Sequence, residues 1–211
     1  MTLNIGLVTE GPTDVVIIQG LLDHILNKPL VTNILQPLGS PLLGYGSNGA
    51  GWKGVKRWCE EVSTKYGFES YLLGTTPYDL LILQMDIDVS RDQEINCYIP
   101  TSPIQETIDA FQNEICSWLG ISEVKRPFIM LLPADNLEAW ILAYLSDDQK
   151  YEPIEEYHKP DKLIAKRPFA VKKSTRNYQL DVLPNLIGNW DKIKMKCSQA
   201  KKFESDILFL K

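Results

Sequence analysis

Residues 3–26 read Leu3-Asn-Ile-Gly-Leu-Val-Thr9-Glu10-Gly11-Pro12-Thr13-Asp14 and then Val15-Val-Ile-Ile-Gln-Gly-Leu-Leu-Asp-His-Ile-Leu26. The first seven form a short apolar run of strand length. Gly11 and Pro12 break it. Thr13 suits a helix N-cap and Asp14 a first helical turn. Residues 14–26 are too long and too apolar for a surface strand, so the spacing predicts a helix packed on a sheet.

Working outward, Val31–Leu38 is a weaker strand, and residues 39–54 hold six glycines, a loop composition. That loop lacks Gly-Lys-Ser/Thr and is no P-loop; its Trp52 is a candidate for stacking on a base. Val55–Tyr66 is helical, with Val55, Trp58, Cys59 and Val62 on one face. Residues 79–85 make the clearest buried strand, ending in Asp86-Ile-Asp88. Pro103–Leu119 is a helix, Pro127–Leu132 a strand, and Asn136–Leu145 a helix opened by Asp135 or Asn136. Strands alternating with helices predict an α/β fold with a mostly parallel sheet over residues 1–146. Residues 147–211 predict short helices packed on that body, without a sheet of their own.

The chain has 211 residues, 44% hydrophobic and 23% charged, enough for a real core. No apolar run nears the roughly 20 residues that cross a bilayer. The first residues lack a basic n-region, so no signal peptide is expected. Cys59, Cys97, Cys116 and Cys197 form no CxxC pair, which speaks against a zinc site or a disulfide scaffold and for a cytoplasmic protein with free thiols. The net charge of −5 divides unevenly: residues 1–157 carry 9 Lys+Arg against 22 Asp+Glu, and residues 158–211 carry 13 against 5. An acidic body suits divalent cations, whereas a basic tail suits either a polyanion or the acidic body itself.

Ligands of parallel α/β sheets gather at the carboxyl ends of the strands. Glu10, Asp86 and Asp88 fall there, and Glu138 just beyond the Pro127–Leu132 strand. On an extended chain Asp86 and Asp88 point to the same side. Oxygen-only donors select Mg²⁺ or Mn²⁺. Each acid also has a structural reading: Glu10 and Glu138 complement helix N-termini, and Asp86 or Asp88 caps a turn. His24, within a helix, is expected to be structural, and neither it nor His158 stands in a triad.

An apolar strand followed by Glu10-Gly-Pro-Thr-Asp14 and a long apolar helix, then a strand ending in Asp86-x-Asp88, resembles TOPRIM domains. The likeness is strongest to those of the overcoming-lysogenization-defect (OLD) nucleases, over about residues 3–145. The stretch Leu132-Pro-Ala-Asp-Asn-Leu-Glu138-Ala-Trp is similar to the Glu-bearing helix of TOPRIM-like proteins of bacterial defence systems. The resemblance implies a TOPRIM/Rossmann-like sheet and Mg²⁺ or Mn²⁺ held by Glu10, Asp14, Asp86, Asp88 and Glu138. It also implies metal-dependent phosphodiester hydrolysis of DNA or RNA, assisted by a late lysine. Lys173 is the leading candidate, with Lys172 and Lys162 as others. Lys162, Lys166, Arg167, Lys172, Lys173 and Arg176 are the expected nucleic-acid contacts. The ATPase domain of full-length OLD proteins is missing, so a separate ATPase is the expected partner. The glycine that often follows Asp-x-Asp is replaced by Val89-Ser90-Arg91. The alternatives are a non-catalytic TOPRIM-like binding or regulatory subunit and, from Asp86-Ile-Asp88-Val-Ser alone, a metal-dependent phosphatase of the haloacid-dehalogenase type. Asp-x-Asp glycosyltransferases share the motif too, but neither enzyme class accounts for Glu10 or Glu138.

Overall fold

A computed structural model describes residues 2–40, 44–74 and 78–211, so positions 41–43 of the expected glycine loop lie outside the described residues. Four strands, β1 (Leu3–Val8), β2 (Leu30–Gln36), β5 (Leu80–Gln84) and β6 (Phe128–Leu131), form one sheet in the order β2-β1-β5-β6, every pair parallel. Two-residue strands β3 (Gly39–Ser40) and β4 (Gly44–Tyr45) pair antiparallel beside it.

The period-2 alternation of the strands decides what covers each face. Leu3, Ile5, Leu7, Leu80, Ile82, Ile129 and Leu131 pack with α1 (Pro12–Leu26) and α5 (Glu138–Leu145). Leu81, Leu83, Phe128 and Met130 pack on the opposite face with α2 (Trp52–Tyr66), α3 (Phe68–Leu72) and α4 (Ile104–Leu119). Right-handed crossovers require this division. The chain leaves β1 for β2 in one direction, then returns past β1 to β5 and on to β6. The connecting helices of the two directions therefore lie on opposite faces. Gly6 is needed where the sheet meets the second layer: a Cβ there would sit 2.7 Å from Leu81 Cδ1.

After α5 the chain runs through 3-10 turns, α6 (Pro160–Ile164), α7 (Thr175–Asn177), a π turn (Tyr178–Val182), α8 (Leu183–Gly188), α9 (Trp190–Lys196) and α10 (Ser198–Ile207). Ile154, Ile164, Tyr178, Trp190 and Phe203 join the same apolar cluster as α1 and α5, so this extension shares the core of the sheet. Trp190 meets Trp140 edge-on at 5.6 Å. All four cysteines are free thiols. Among the described residues no helix is long and apolar enough to cross a membrane.

Several expectations need correction. Helix α1 starts at Pro12 with Gly11 as N-cap, so Thr13 lies inside it; proline at the first helical position needs no N–H partner. Helix α2 starts at Trp52, three residues earlier than expected, and Trp52 packs partly buried against the core with Lys53 over its ring. Helix α5 starts at Glu138 after Leu137, with no side-chain cap, because Asp135 is bonded elsewhere. His24 is exposed in the last turn of α1 and does not belong to the core.

Candidate metal centre

Strand β1 has β2 on one side and β5 on the other, so the chain reverses its direction of winding between β1 and β5. A crevice opens at such a point, outside the carboxyl ends of the strands. Glu10 stands two residues past β1 and Asp86 two residues past β5. The Asp86 N–H donates to Glu10 Oε1 at 2.8 Å, joining the two strand ends across the crevice. The Glu10 carbonyl accepts from Gly51 N–H at 2.8 Å, so Gly51 lies against the same spot.

Asp86 and Asp88 do not share an extended segment. Strand β5 ends at Gln84, and Ile87–Arg91 coil into a 3-10 turn that leaves Asp86 half-buried and Asp88 exposed. Gln84 Nε2 donates to Asp86 Oδ1 at 2.8 Å. Ile87 and Asp88 N–H groups donate to the Pro133 and Asp135 carbonyls at 3.2 and 2.8 Å, which ties this turn to the β6–α5 loop.

Asp14 is buried in the first turn of α1, and Glu138 is 2% exposed in the first turn of α5. One oxygen of Glu138, Oε1, accepts both Tyr178 O–H at 2.8 Å and Lys173 Nζ at 2.6 Å. Both donors come from the C-terminal extension. Together with Asp161, Lys162 and Val171 these residues line a cavity of about 190 Å³.

These carboxylates feel one another. Burial, then the charges of Asp14 and Asp88, push Glu10 up to about 8, against the Asp86 N–H bond and Lys173. Burial and Glu138 push Asp14 up to about 7, opposed by Lys173. Asp86 is raised well above the usual carboxylate range by burial and by Glu10, Asp14, Glu138 and Asp88. Partial loss of water around its carboxyl, and then the charge of Asp135, raise Asp88 to about 6, while Arg91 pulls it down. Burial would lower the Lys173 ammonium, but Glu138, Asp14 and Asp86 outweigh it and hold it charged.

Among the described residues, no three acidic, histidine or cysteine side chains are gathered as a ready metal-ligand set. Glu10 is turned to a backbone N–H and Glu138 to Lys173 and Tyr178. The donor set nonetheless fits a hard cation. Four half- or fully buried carboxyl groups lie together with Lys173 paired to one of them, and every donor is oxygen, the chemistry that hard cations take.

Of the expected cations, Lys173 and Lys162 border Glu138. Lys166, Arg167, Lys172 and Arg176 are exposed and form no ion pair among the described residues. The later lysines serve the body instead: Lys192 and Lys196 pair with Asp147, and Lys194 with Asp191 and Glu204. Sequence reasoning missed Asp135 and Arg91. Asp135 is 1% exposed with φ 53°, and its carboxylate accepts from Arg91 and from the Lys159 N–H. A helix-capping role for Asp135 was the only signal available. No protein-family model matches this chain, and neither does any curated protein or solved structure compared with it.

Proposed function

We propose that the chain is a divalent-metal-dependent nuclease, hydrolysing phosphodiester bonds of DNA or RNA at the crevice between β1 and β5. The observation that carries this reading is the cluster of Glu10, Asp14, Asp86 and Glu138, mutually repelling, at the winding reversal of a parallel sheet, with Lys173 paired to Glu138. Glu10, Asp86 and Asp88 would hold Mg²⁺ or Mn²⁺, with Asp14 and Glu138 beside them. When bound, such a cation would supply Lewis-acid polarisation of a phosphate and activation of a water near neutral pH.

The chain's own residues supply the rest. Lys173 carries positive charge to the rim on a segment that Tyr178 anchors through Glu138. There it can meet the negative charge that grows on the phosphate oxygens. Gln84 orients Asp86 through its amide N–H. The exposed cations Lys166, Arg167, Lys172 and Arg176 attract the strand without reading its sequence. The resemblance further suggests a bacterial antiviral defence role beside a separately encoded ATPase; co-purification with the product of a neighbouring ATPase gene tests that part.

The deciding experiment incubates the purified chain with plasmid DNA and with structured RNA in Mg²⁺, Mn²⁺ or EDTA. Cleavage in metal, lost in EDTA and in Glu10→Gln and Asp86→Asn, is expected. No cleavage with any divalent ion, together with metal binding by calorimetry, would shift the reading to a non-catalytic binding subunit. Phosphate release from small monoesters without nucleic-acid cleavage would favour a phosphatase.

A further inference from the structure

Arg91 closes the 3-10 turn that begins at Ile87. Side chains three apart eclipse in such a turn, so Arg91 stands on the same face as Asp88. Its influence in lowering the Asp88 pKa agrees with that placement. The guanidinium is held from two sides. Its Nη1 donates to Asp135 Oδ1 at 2.5 Å, and its Cζ lies 4.3 Å from the Tyr98 ring centroid. Asp135 is itself fixed, its other oxygen accepting the Lys159 N–H at 2.9 Å.

Holding the group this way uses little of its capacity. Arginine offers five N–H donors in a rigid fork. Among the described residues only Nη1 has an acceptor; Nε and Nη2 donate to nothing, and the side chain is 24% exposed. An immobilised guanidinium with unspent donors, on the same turn as a rim carboxylate, suits an anion that offers two oxygens side by side, such as the non-bridging pair of a phosphodiester. The rim needs such a group. Its carboxylates repel a phosphate backbone, and Lys173 answers that only on the Glu138 side.

We infer that Arg91 binds a backbone phosphate of the substrate strand on the Asp88 side of the rim, with Asp135 and Tyr98 as its positioning residues. The inference rests on the nuclease reading and names an interaction that the TOPRIM resemblance does not supply, since Arg91 lies where that pattern departs from the family.

The test measures fluorescence anisotropy of labelled DNA and RNA oligonucleotides with the full chain in Ca²⁺, alongside thermal melting of each variant. Arg91→Met should bind about tenfold more weakly or worse. Asp135→Asn, which keeps the left-handed backbone but loses the charge that aims the guanidinium, should fall between it and wild type. Arg91→Lys keeps a charge for Asp135 but lacks the fork, so it should fold and still bind several-fold more weakly. It keeps the question answerable if Arg91→Met fails to fold. Folded Arg91→Met or Arg91→Lys with wild-type affinity would overturn the inference and leave Arg91 a strut between Asp135 and Tyr98; the nuclease reading would stand if wild type cleaves. Wild type that binds no oligonucleotide would overturn both.

Discussion

Glu138 Oε1 accepts a phenol and an ammonium at once, while among the described residues Glu10 and Asp86 each accept one amide N–H. Neutralisation is therefore uneven across the cluster, and the chain holds protons that an unfolded chain would release. Carboxyls titrate near pH 4 when unfolded, whereas Glu10, Asp14 and Asp88 are pushed up to about 8, 7 and 6. Between those limits the folded state binds more protons, so its stability must fall as pH rises. We expect the melting temperature in EDTA to decline from pH 5 to pH 8.5. Saturating Mn²⁺ should reverse the trend, because it binds the deprotonated acids. A flat or rising curve in EDTA would contradict the mutual repulsion. By the same logic Asp86→Asn puts a neutral amide where the folded chain must otherwise hold a proton on the acid. It should raise the metal-free melting temperature by about 2–4 °C, while weakening Mn²⁺ binding in calorimetry and abolishing cleavage.

Among the elements, those fixed by periodicity were readable in advance and those fixed by tertiary bonds were not. Strands β1, β5 and β6 and helices α1, α2 and α4 fall within three residues of expectation, because their apolar spacing coincides with burial on one sheet face. The acidic positions were legible for the same reason: they follow strand ends. Their local geometry was not. Asp86-x-Asp88 reads as extended chain, yet the bonds to Pro133 and Asp135 carbonyls wind it into a 3-10 turn. No sequence pattern announces a bond between segments more than 40 residues apart. Asp135 was hidden likewise, since its partners Arg91 and Lys159 are distant in sequence. Gly20 is a comparable case in the packing of α1 on α8. A Cβ there would lie 2.3–2.9 Å from Leu183 side-chain atoms, Cγ among them. Gly20→Ala should gain helix propensity of up to about 1 kcal/mol. It should still lower stability by roughly 1–3 kcal/mol through overpacking, read from urea denaturation. A stabilised Gly20→Ala would mean that α8 moves aside freely.

Across the whole molecule, the basic residues after position 157 divide by their ion pairs. Lys192, Lys194 and Lys196 are anchored to Asp147, Asp191, Glu204 and Glu152, so this half of the tail fastens helix α9 to its surroundings. Lys166, Arg167, Lys172 and Arg176 have no such partners among the described residues and lie in the same stretch of chain that carries Lys173 to Glu138. A body with 22 acids against 9 bases repels a phosphate backbone, so on the nuclease reading proposed above these unpaired cations would supply the attraction. Reversing Lys172 and Arg176 to glutamate should weaken oligonucleotide binding for every sequence alike. The slope of log affinity against log salt should become shallower by about 0.7–0.9 for each phosphate left without its cation. Reversing Lys192 and Lys196 should leave that slope alone and lower the melting temperature, because their charge is already committed to Asp147. Identical slopes for the two double variants would mean that the tail presents no phosphate-binding face, and that its charge serves the fold alone.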